Sequence, residues 1–543
     1  MTRRLITSKL SLDSRAARLV AGIGAATLSV ATMATLYACS GDDSSATTTP
    51  PLNDAGSDSS PVTQQDGAPN TNPEAGSDGA APKPSCESLP GTIVYIESAD
   101  TQEALLDAVG REMRDKANVT LVFWLGGSCT VTPDIYGGGS GSLVAGNSSM
   151  LYIPSTAENP SWTPADPESG CTLASAHTPD LGIAALFPSS CAGFATPPAG
   201  TNIAQYIGPT QAYTFIVPNA EFTNGQTSIS AEEAYYVFGD GANNGITPTE
   251  WNLPNEYYLR PGTKSTLVST ALNIGLTAKE MTDSLPDGGT ADGRNLVASS
   301  GGCESDVAAA TTQAQAIGIL GDEVYDSNRG AGVNILAFKA FGQDYAYFPD
   351  STQTAYDKQN IRDGHYTLWS PDTYMAASSG GVPTNPTVQY ILDVILGNPG
   401  ATPPDGGAPI DALSITANVG LTPSCAMQVT RTADGAPVTP HTPAAPCTCK
   451  FLNDLSSKGV ALPSSCTMCT TSADCGDAAG LVGCFNGYCE TTPAPLTLTG
   501  NDAGACDDTT AVGINACTNA TGISKTVTFG AALADGGLSP VTQ

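Results

Sequence analysis

The side chains able to do covalent or metal chemistry are few in this sequence, and their spacing is poor for it. Its 543 residues contain three scattered histidines, His177, His365 and His441, so a metal centre built on several imidazoles is not expected. No Gly-x-Ser-x-Gly turn raises a serine nucleophile; Gly138-Gly139-Ser140-Gly141-Ser142 ends on the wrong residue. Neither a P-loop nor a His-Glu-x-x-His helix occurs. What remains is sixteen cysteines and a stretch of cations and hydroxyls, Arg260-Pro261-Gly262-Thr263-Lys264-Ser265-Thr266. Cysteines cluster at Cys466, Cys469, Cys475, Cys484 and Cys489. Zinc is one reading of Cys466-x-x-Cys469. Disulfides are the favoured one, because a module this small has too little core to fold without staples, and the signs of export below imply an oxidising compartment.

The charge balance excludes another class. Acidic residues number 52 and basic ones 21, for a net charge of −31, so no basic stripe exists to track a nucleic-acid backbone. The length allows two to four domains at roughly 100–200 residues each.

The N-terminus carries an address. Arg3, Arg4, Lys9, Arg15 and Arg18 precede an apolar and small-residue run from Leu19 to Ala38, the pattern of an export signal. Leu36-Tyr37-Ala38-Cys39 resembles a bacterial lipobox, which implies a signal over 1–38, cleavage before Cys39 and acylation of that cysteine. Several acyl chains hold stably where one alone holds marginally. Ser40 stands where an inner-membrane retention Asp often sits, so the outer membrane is favoured. Residues 39–85 are Ser, Thr, Asp, Gly, Pro and Ala with almost no large apolar side chain, a composition that cannot offset its ordering entropy; a flexible tether is expected. Similar Asp-Gly units at Asp287-Gly288-Gly289, Asp405-Gly406-Gly407, Asp434-Gly435-Ala436 and Asp535-Gly536-Gly537 are read as surface loops. Excluding Cys39, fifteen cysteines remain, so at least one is left without an intrachain partner; Cys506 and Cys517 could pair in the tail.

Ordered elements begin near Cys86. Thr92–Ile96 and Val119–Leu125 are strands, and Asp100–Ala117 is a helix with Ala104, Leu105, Ala108 and Val109 on its apolar face. This β-α-β opening predicts a parallel sheet. A strand at Thr214–Val217, helices at Ser230–Phe238, Leu267–Ile274 and Val307–Ala316, a strand at Ala316–Gly321 and a helix at Gln389–Leu396 extend the alternation into an α/β fold. The segments Ile229–Gly239, Trp251–Thr266, Ala316–Gly321 and Arg362–Pro371, in this order, resemble the substrate-binding proteins of phosphate ABC transporters, which are type II periplasmic binding proteins. The resemblance covers residues 86–452. It implies two α/β lobes joined by a two-strand hinge, lobe one at 90–210 plus 365–452 and lobe two at 211–345, with an oxyanion clamped between. A Cys-rich module at 453–490 and a tail at 491–543 follow. It implies binding without catalysis and without a cofactor or metal, a possible ABC permease partner, and a structural His365.

The resemblance also implies four ligand loops. Arg260 and Thr266 match the family's loop of an Arg, three residues and Ser-Gly-Thr, with Lys264 and Ser265 at the altered positions; an ordinary helix start capped by Thr263 or Ser265 is the alternative. Gly126-Gly127-Ser128 matches a donor loop and nominates Ser128. In Glu97-Ser98-Ala99-Asp100-Thr101, Ser98 and Thr101 could donate, while Asp100 is a good helix cap and a poor neighbour for an anion. In the fourth loop Ala184-Ala185 replaces the family's Ser-Asp, so the carboxylate that accepts a ligand proton is missing, and Asp180 is expected to be structural. Cys171 and Cys191 bracket this loop and are proposed as partners. Two functions stay open: a lipid-anchored envelope protein binding phosphate or a related oxyanion with poor discrimination against sulfate, or a scaffold whose pocket has been lost, serving in structure or interaction.

Overall fold

The computed structural model describes residues 82–491, apart from 165, 193–196, 198–199, 224, 240–250, 284–292, 344, 399–400, 404–405, 477–480 and the side chains of 481, 482 and 491. These lie in the unit Gly67–Gln543; the unit Met1–Asp66 lies outside the described residues. Cys39, the signal, the tether up to residue 81, the tail from 492 with Cys506 and Cys517, and the Asp287 and Asp535 loops also lie outside them. Among the described residues no helix is long and apolar enough to cross a membrane.

Strand β1 (Thr92–Ala99) and strand β2 (Val119–Gly126) are near-continuous apolar runs, and both are buried, as parallel strands covered on two faces should be. They pair in parallel from Thr92↔Val119 to Ala99↔Gly126. Helix α1 (Glu103–Ala117) crosses between them. Its buried face is Leu105, Leu106, Val109 and Met113; Ala104 and Ala108 are only half-buried, so the stripe is turned slightly from the expected one. Asn118 ends the helix in the left-handed region and returns its N–H to Met113 O. Helix α2 (Ser128–Gly137) follows β2. Strands β3 (Met150–Tyr152) and β4 (Ser169–Cys171) extend the β2 edge antiparallel, and β5 (Leu181–Ala184) pairs parallel with β1 on the other side.

Strand β6 (Ile203–Pro218) serves both halves of the molecule. Its first part pairs with a late strand, Trp369–Ser379, and its last part with Ile317–Gly321 and Val333–Ile335. In chain order the intervening strands are β7 (Ser228–Ser230), β8 (Tyr257–Leu259), β9 (Asn295–Leu296), β10 (Ile317–Gly321), β11 (Val333–Ile335), β12 (Ala337–Lys339) and β13 (Trp369–Ser379). The mixed sheet runs β4-β3-β2-β1-β5-β13-β6-β10-β8-β9. The fold is α/β and two-lobed, with β6 and β13 as the strands shared between lobes. Each lobe has its own core: Val94, Ile96, Leu106, Phe123 and Ile391 in the first, Phe215, Phe238, Trp251, Leu267 and Ile317 in the second.

In the second lobe α3 (Ala231–Phe238) starts with a full capping box between Ser230 and Glu233. Helix α4 spans Ser265–Asn273. The helix expected at Val307–Ala316 is instead α5 (Ser300–Ala308), started by the Ser299 hydroxyl accepting from Gly302 N–H. A polar 3-10 turn, Gln313–Gln315, occupies the end of the expected span. The apolar residues of that stretch belong to two elements, which periodicity alone merged. Helix α6 (Asp322–Asn328) follows β10, and α7 (Pro386–Ile395) covers the first lobe.

Disulfides join Cys86–Cys171, Cys129–Cys191, Cys425–Cys447, Cys449–Cys466, Cys469–Cys484 and Cys475–Cys489. The proposed Cys171–Cys191 pair is therefore corrected: β4 brings Cys171 to the chain entry at Cys86, while the first turn of α2 brings Cys129 to Cys191. All five cysteines of the C-terminal cluster are in disulfides, and Cys466 reaches back to Cys449 on α8 (Thr448–Asp454). The sulfurs of Cys469, Cys475 and Cys489 lie within 4.8 Å of one another. Each is half of a disulfide, so none has a thiolate to give zinc. Cys303 is the one free cysteine among the described residues; it is buried, and burial pushes its thiol up to about 12.

Asp434-Gly435-Ala436 reaches the surface at Gly435, as expected of a loop, but its acid is turned inward. The Asp434 carboxylate is buried and accepts from Phe187 N–H at 3.1 Å, Ser190 Oγ at 2.5 Å and Ser370 Oγ. Gly435 takes φ 70° against Leu272 O of α4, where a Cβ would approach to 2.7 Å. Arg431 donates to Thr367 O and Trp369 O and stacks 3.9 Å above the Trp369 ring. This strap ties the first lobe, the shared strand β13 and the second lobe together.

Candidate anion site

Strands β1, β2 and β8 end at the same seam between the lobes, the position where open α/β sheets place ligands. The turn after β1 carries Ser98 to Gln102, the turn after β2 leads into α2 at Ser128, and the turn after β8 carries Arg260 to Lys264 into α4. The helix starts share one feature: neither Gly127 before α2 nor Lys264 before α4 gives a side-chain cap. Neither Thr263 nor Ser265 caps α4, which corrects that alternative. Uncapped starts put the positive ends of both helix dipoles at the seam; at α2 the N–H groups of Cys129, Thr130 and Val131 already donate to Thr263 O and Gly127 O.

All seven residues nominated from the sequence lie at this seam or one layer behind it. Arg260 is fully buried. Its Nη1 donates to Val297 O at 2.9 Å, and its Nη2 donates to Asp100 Oδ2 at 2.5 Å. Lys264 Nζ sits 2.9 Å from the same Asp100 oxygen and donates to Gly126 O at 3.0 Å. Ser128 Oγ accepts from Ala185 N–H at 3.0 Å, which leaves its own proton to give. Ser98 Oγ is turned away and donates to Ala99 O at 3.1 Å. Ser265 lies beside the Tyr213 hydroxyl, which itself donates to Ala185 O. Thr101 Oγ1, Thr266 Oγ1, Arg260 Nε and Asp100 Oδ1 are buried and have no hydrogen-bond partner among the described residues.

The lobes meet closely here. Cys129 N–H donates to Thr263 O across the seam at 3.0 Å. A Cβ on Gly127 would lie 2.6 Å from that same oxygen, so this approach needs glycine.

Asp100 does not cap a helix. The 3-10 turn Asp100–Gln102 is preceded by Ala99 and α1 by Gln102, both without a side-chain cap. Two cations within 2.9 Å outbid a neutral N–H for the carboxylate. Asp180 is structural, as expected: it accepts from Tyr95 N–H at 3.0 Å and from Asn385 Nδ2 at 3.2 Å. His365 is buried, with Nδ1 2.7 Å from Asp363 Oδ1 and its ring against Tyr347.

Behind the seam lies a polar network that sequence reasoning missed. Gln102 Nε2 donates to Asp372 Oδ1 at 2.9 Å, and Gln211 Nε2 donates to Glu323 Oε2. Gln102 is in the first lobe, Gln211 and Asp372 are on the shared strands, and Glu323 is on α6. Burial raises the Glu323 carboxyl to about 8 and pushes the Asp372 carboxyl well above the usual range, which favours the protonated form of each. Nothing local in the sequence marks these acids as buried.

No protein-family model matches the chain, and no curated protein sequence matches it. Among solved structures it is similar to an ABC-type phosphate transport receptor from Vibrio cholerae, at 13% identity over 61% of this chain and 99% of that one, with a TM-score of 0.36. A putative phosphate ABC transporter substrate-binding protein with bound phosphate from Clostridium perfringens aligns at 12% identity over 61% and 99% of the chains, TM-score 0.36. The reduced OxyR regulatory domain of Pseudomonas aeruginosa aligns at 8% identity over 56% and 95%, TM-score 0.29.

Proposed function

We propose that this chain is a non-enzymatic solute-binding protein of the cell envelope that takes phosphate or a related oxyanion at the seam between its lobes. The observation that carries this reading is the buried Arg260 guanidinium with Lys264 at the uncapped start of α4, facing the uncapped start of α2. Hydroxyls of Thr101 and Thr266 are buried at the same seam without partners among the described residues. Such a set holds an oxyanion through charge and N–H groups and moves no bond. Ala184-Ala185 offers no carboxylate to take a ligand proton, so phosphate and sulfate are expected to bind with similar affinity. Calorimetry on the full exported chain with each anion tests this. Arg260→Ala should remove a buried charge-assisted contact, about 2–5 kcal/mol, and abolish measurable binding. Retained binding in that variant would refute the assignment.

A second reading is favoured by one specific contact. Asp100 already pairs with both cations, as a scaffold that had lost its ligand would. Absence of binding by the wild-type chain would select that reading. In either case we propose lipid anchoring through Cys39, with the outer membrane favoured, and, for the binding reading, delivery to an ABC permease. Cys39→Ser should leave unprocessed, unacylated precursor, read by detergent partitioning and mass spectrometry of the N-terminus; an acylated mature chain from that variant would exclude it.

A further inference from the structure

Asp100 occupies an unusual place. One carboxylate oxygen, Oδ2, is shared between Arg260 Nη2 at 2.5 Å and Lys264 Nζ at 2.9 Å. Those are the two cations of the site, they belong to the second lobe, and Asp100 belongs to the first. The side chain performs no local task, since it caps neither the 3-10 turn that holds it nor α1. Its side chain is 18% exposed, close to the 16% of Lys264 and well above the 1% of Arg260. Around it, Arg260 Nε and the hydroxyls of Thr101 and Thr266 are buried and, like Asp100 Oδ1, have no hydrogen-bond partner among the described residues. A two-oxygen carboxylate therefore offsets one of the site's two positive charges and leaves part of its hydrogen-bonding capacity unused. A tetrahedral anion carries four oxygens.

We infer that Asp100 is a tethered internal ligand: its carboxylate stands where a free anion would bind, holds the lobes together without one, and must swing out before one enters. This rests on the anion-binding reading of the seam. A carboxylate on a short tether competes at an effective concentration on the order of millimolar or more. The apparent affinity for a free anion then falls by the fraction of molecules in which Asp100 is displaced. Removing the carboxylate should turn the seam into a receptor for small free anions, simple carboxylates included.

The test uses the full exported chain as wild type and Asp100→Ala, with inorganic phosphate and sodium formate as probes at constant ionic strength. In chloride buffer the variant should melt below wild type. Formate should raise the variant's melting temperature in a saturable way and leave wild type unmoved. Phosphate should bind the variant tighter than wild type, by on the order of tenfold or more. Should Asp100→Ala fail to fold, Asp100→Asn keeps the volume without the charge and carries the same phosphate titration. Phosphate binding that is unchanged or weaker in a folded variant, or a formate response equal in both proteins, would overturn the inference while leaving the anion site standing. No response of either protein to any anion would overturn the anion reading itself, and the inference with it.

Discussion

Lys358 is the centre of a buried charge cluster in the second lobe, and its removal has a calculable consequence. Its Nζ lies 2.6 Å from Asp322, 2.6 Å from Asp326 and 3.3 Å from Asp350, and its side chain is 2% exposed. Arg329 bonds Asp326 at 2.5 Å and Asp350 at 2.8 Å. Lys358→Met keeps the volume and deletes the charge. Asp326 and Asp350 keep Arg329, while Asp322 loses the one cation it bonds and has an Oδ1 that is already unpartnered. Breaking a buried pair in this way costs about 3–5 kcal/mol, against a typical total stability of about 5–15 kcal/mol. Asp322 would respond by keeping a proton. Its carboxyl is already raised by burial, and loss of Lys358 raises it further. A raised carboxyl contributes stability below its unfolded pKa and loses it as pH climbs through the folded value. The variant's deficit should accordingly be largest at pH 8 and shrink toward pH 5. Adding Asp322→Asn should restore part of the loss at high pH. Urea denaturation of the three proteins across that range is the assay. A deficit under about 1 kcal/mol, the size typical of a surface pair, or one independent of pH, would refute the claim that the cluster is dry and that Lys358 compensates Asp322.

Two further expectations follow from the same structure. Burial pushes Glu97, Asp107 and Glu323 each up to about 8. By the same sign, their contribution to stability is present at acid pH and lost as pH rises through about 8, so the melting temperature should fall between pH 6 and pH 9. Glu323→Gln, which keeps the Gln211 contact without an ionisable group, should flatten part of that slope in a calorimetric scan; an unchanged slope would place the titration elsewhere. For the cysteines, intact mass with and without reduction should show residues 425, 447, 449, 466, 469, 475, 484 and 489 oxidised and metal-free; stoichiometric zinc with free thiols would reverse the assignment.

The sequence by itself determined the opening β-α-β elements and the α/β class. Thr92–Ala99 and Val119–Gly126 are apolar runs too short for helices and bounded by turn residues, and α1 has its own period, so local chemistry alone specifies them. Arg260, Lys264 and Ser128 became candidate ligands only through the resemblance of their loops to those of phosphate-transporter binding proteins, since the bare strings read equally as an ordinary helix start and a turn. Tertiary structure alone decided what those groups face. Asp100 and Arg260 are 160 residues apart, and whether a carboxylate caps its own helix or crosses a seam depends on which cations the fold brings within about 3 Å of it. Strand pairing likewise chose Cys86 for Cys171 and Cys129 for Cys191, since a disulfide needs Cα atoms within about 7 Å and spacing along the chain does not supply that. Gln102, Gln211, Glu323 and Asp372 gained their roles the same way. Burial is a property of the packed lobes, and it alone turns ordinary side chains on four separate segments into buried hydrogen-bonded pairs whose acids titrate above their usual range.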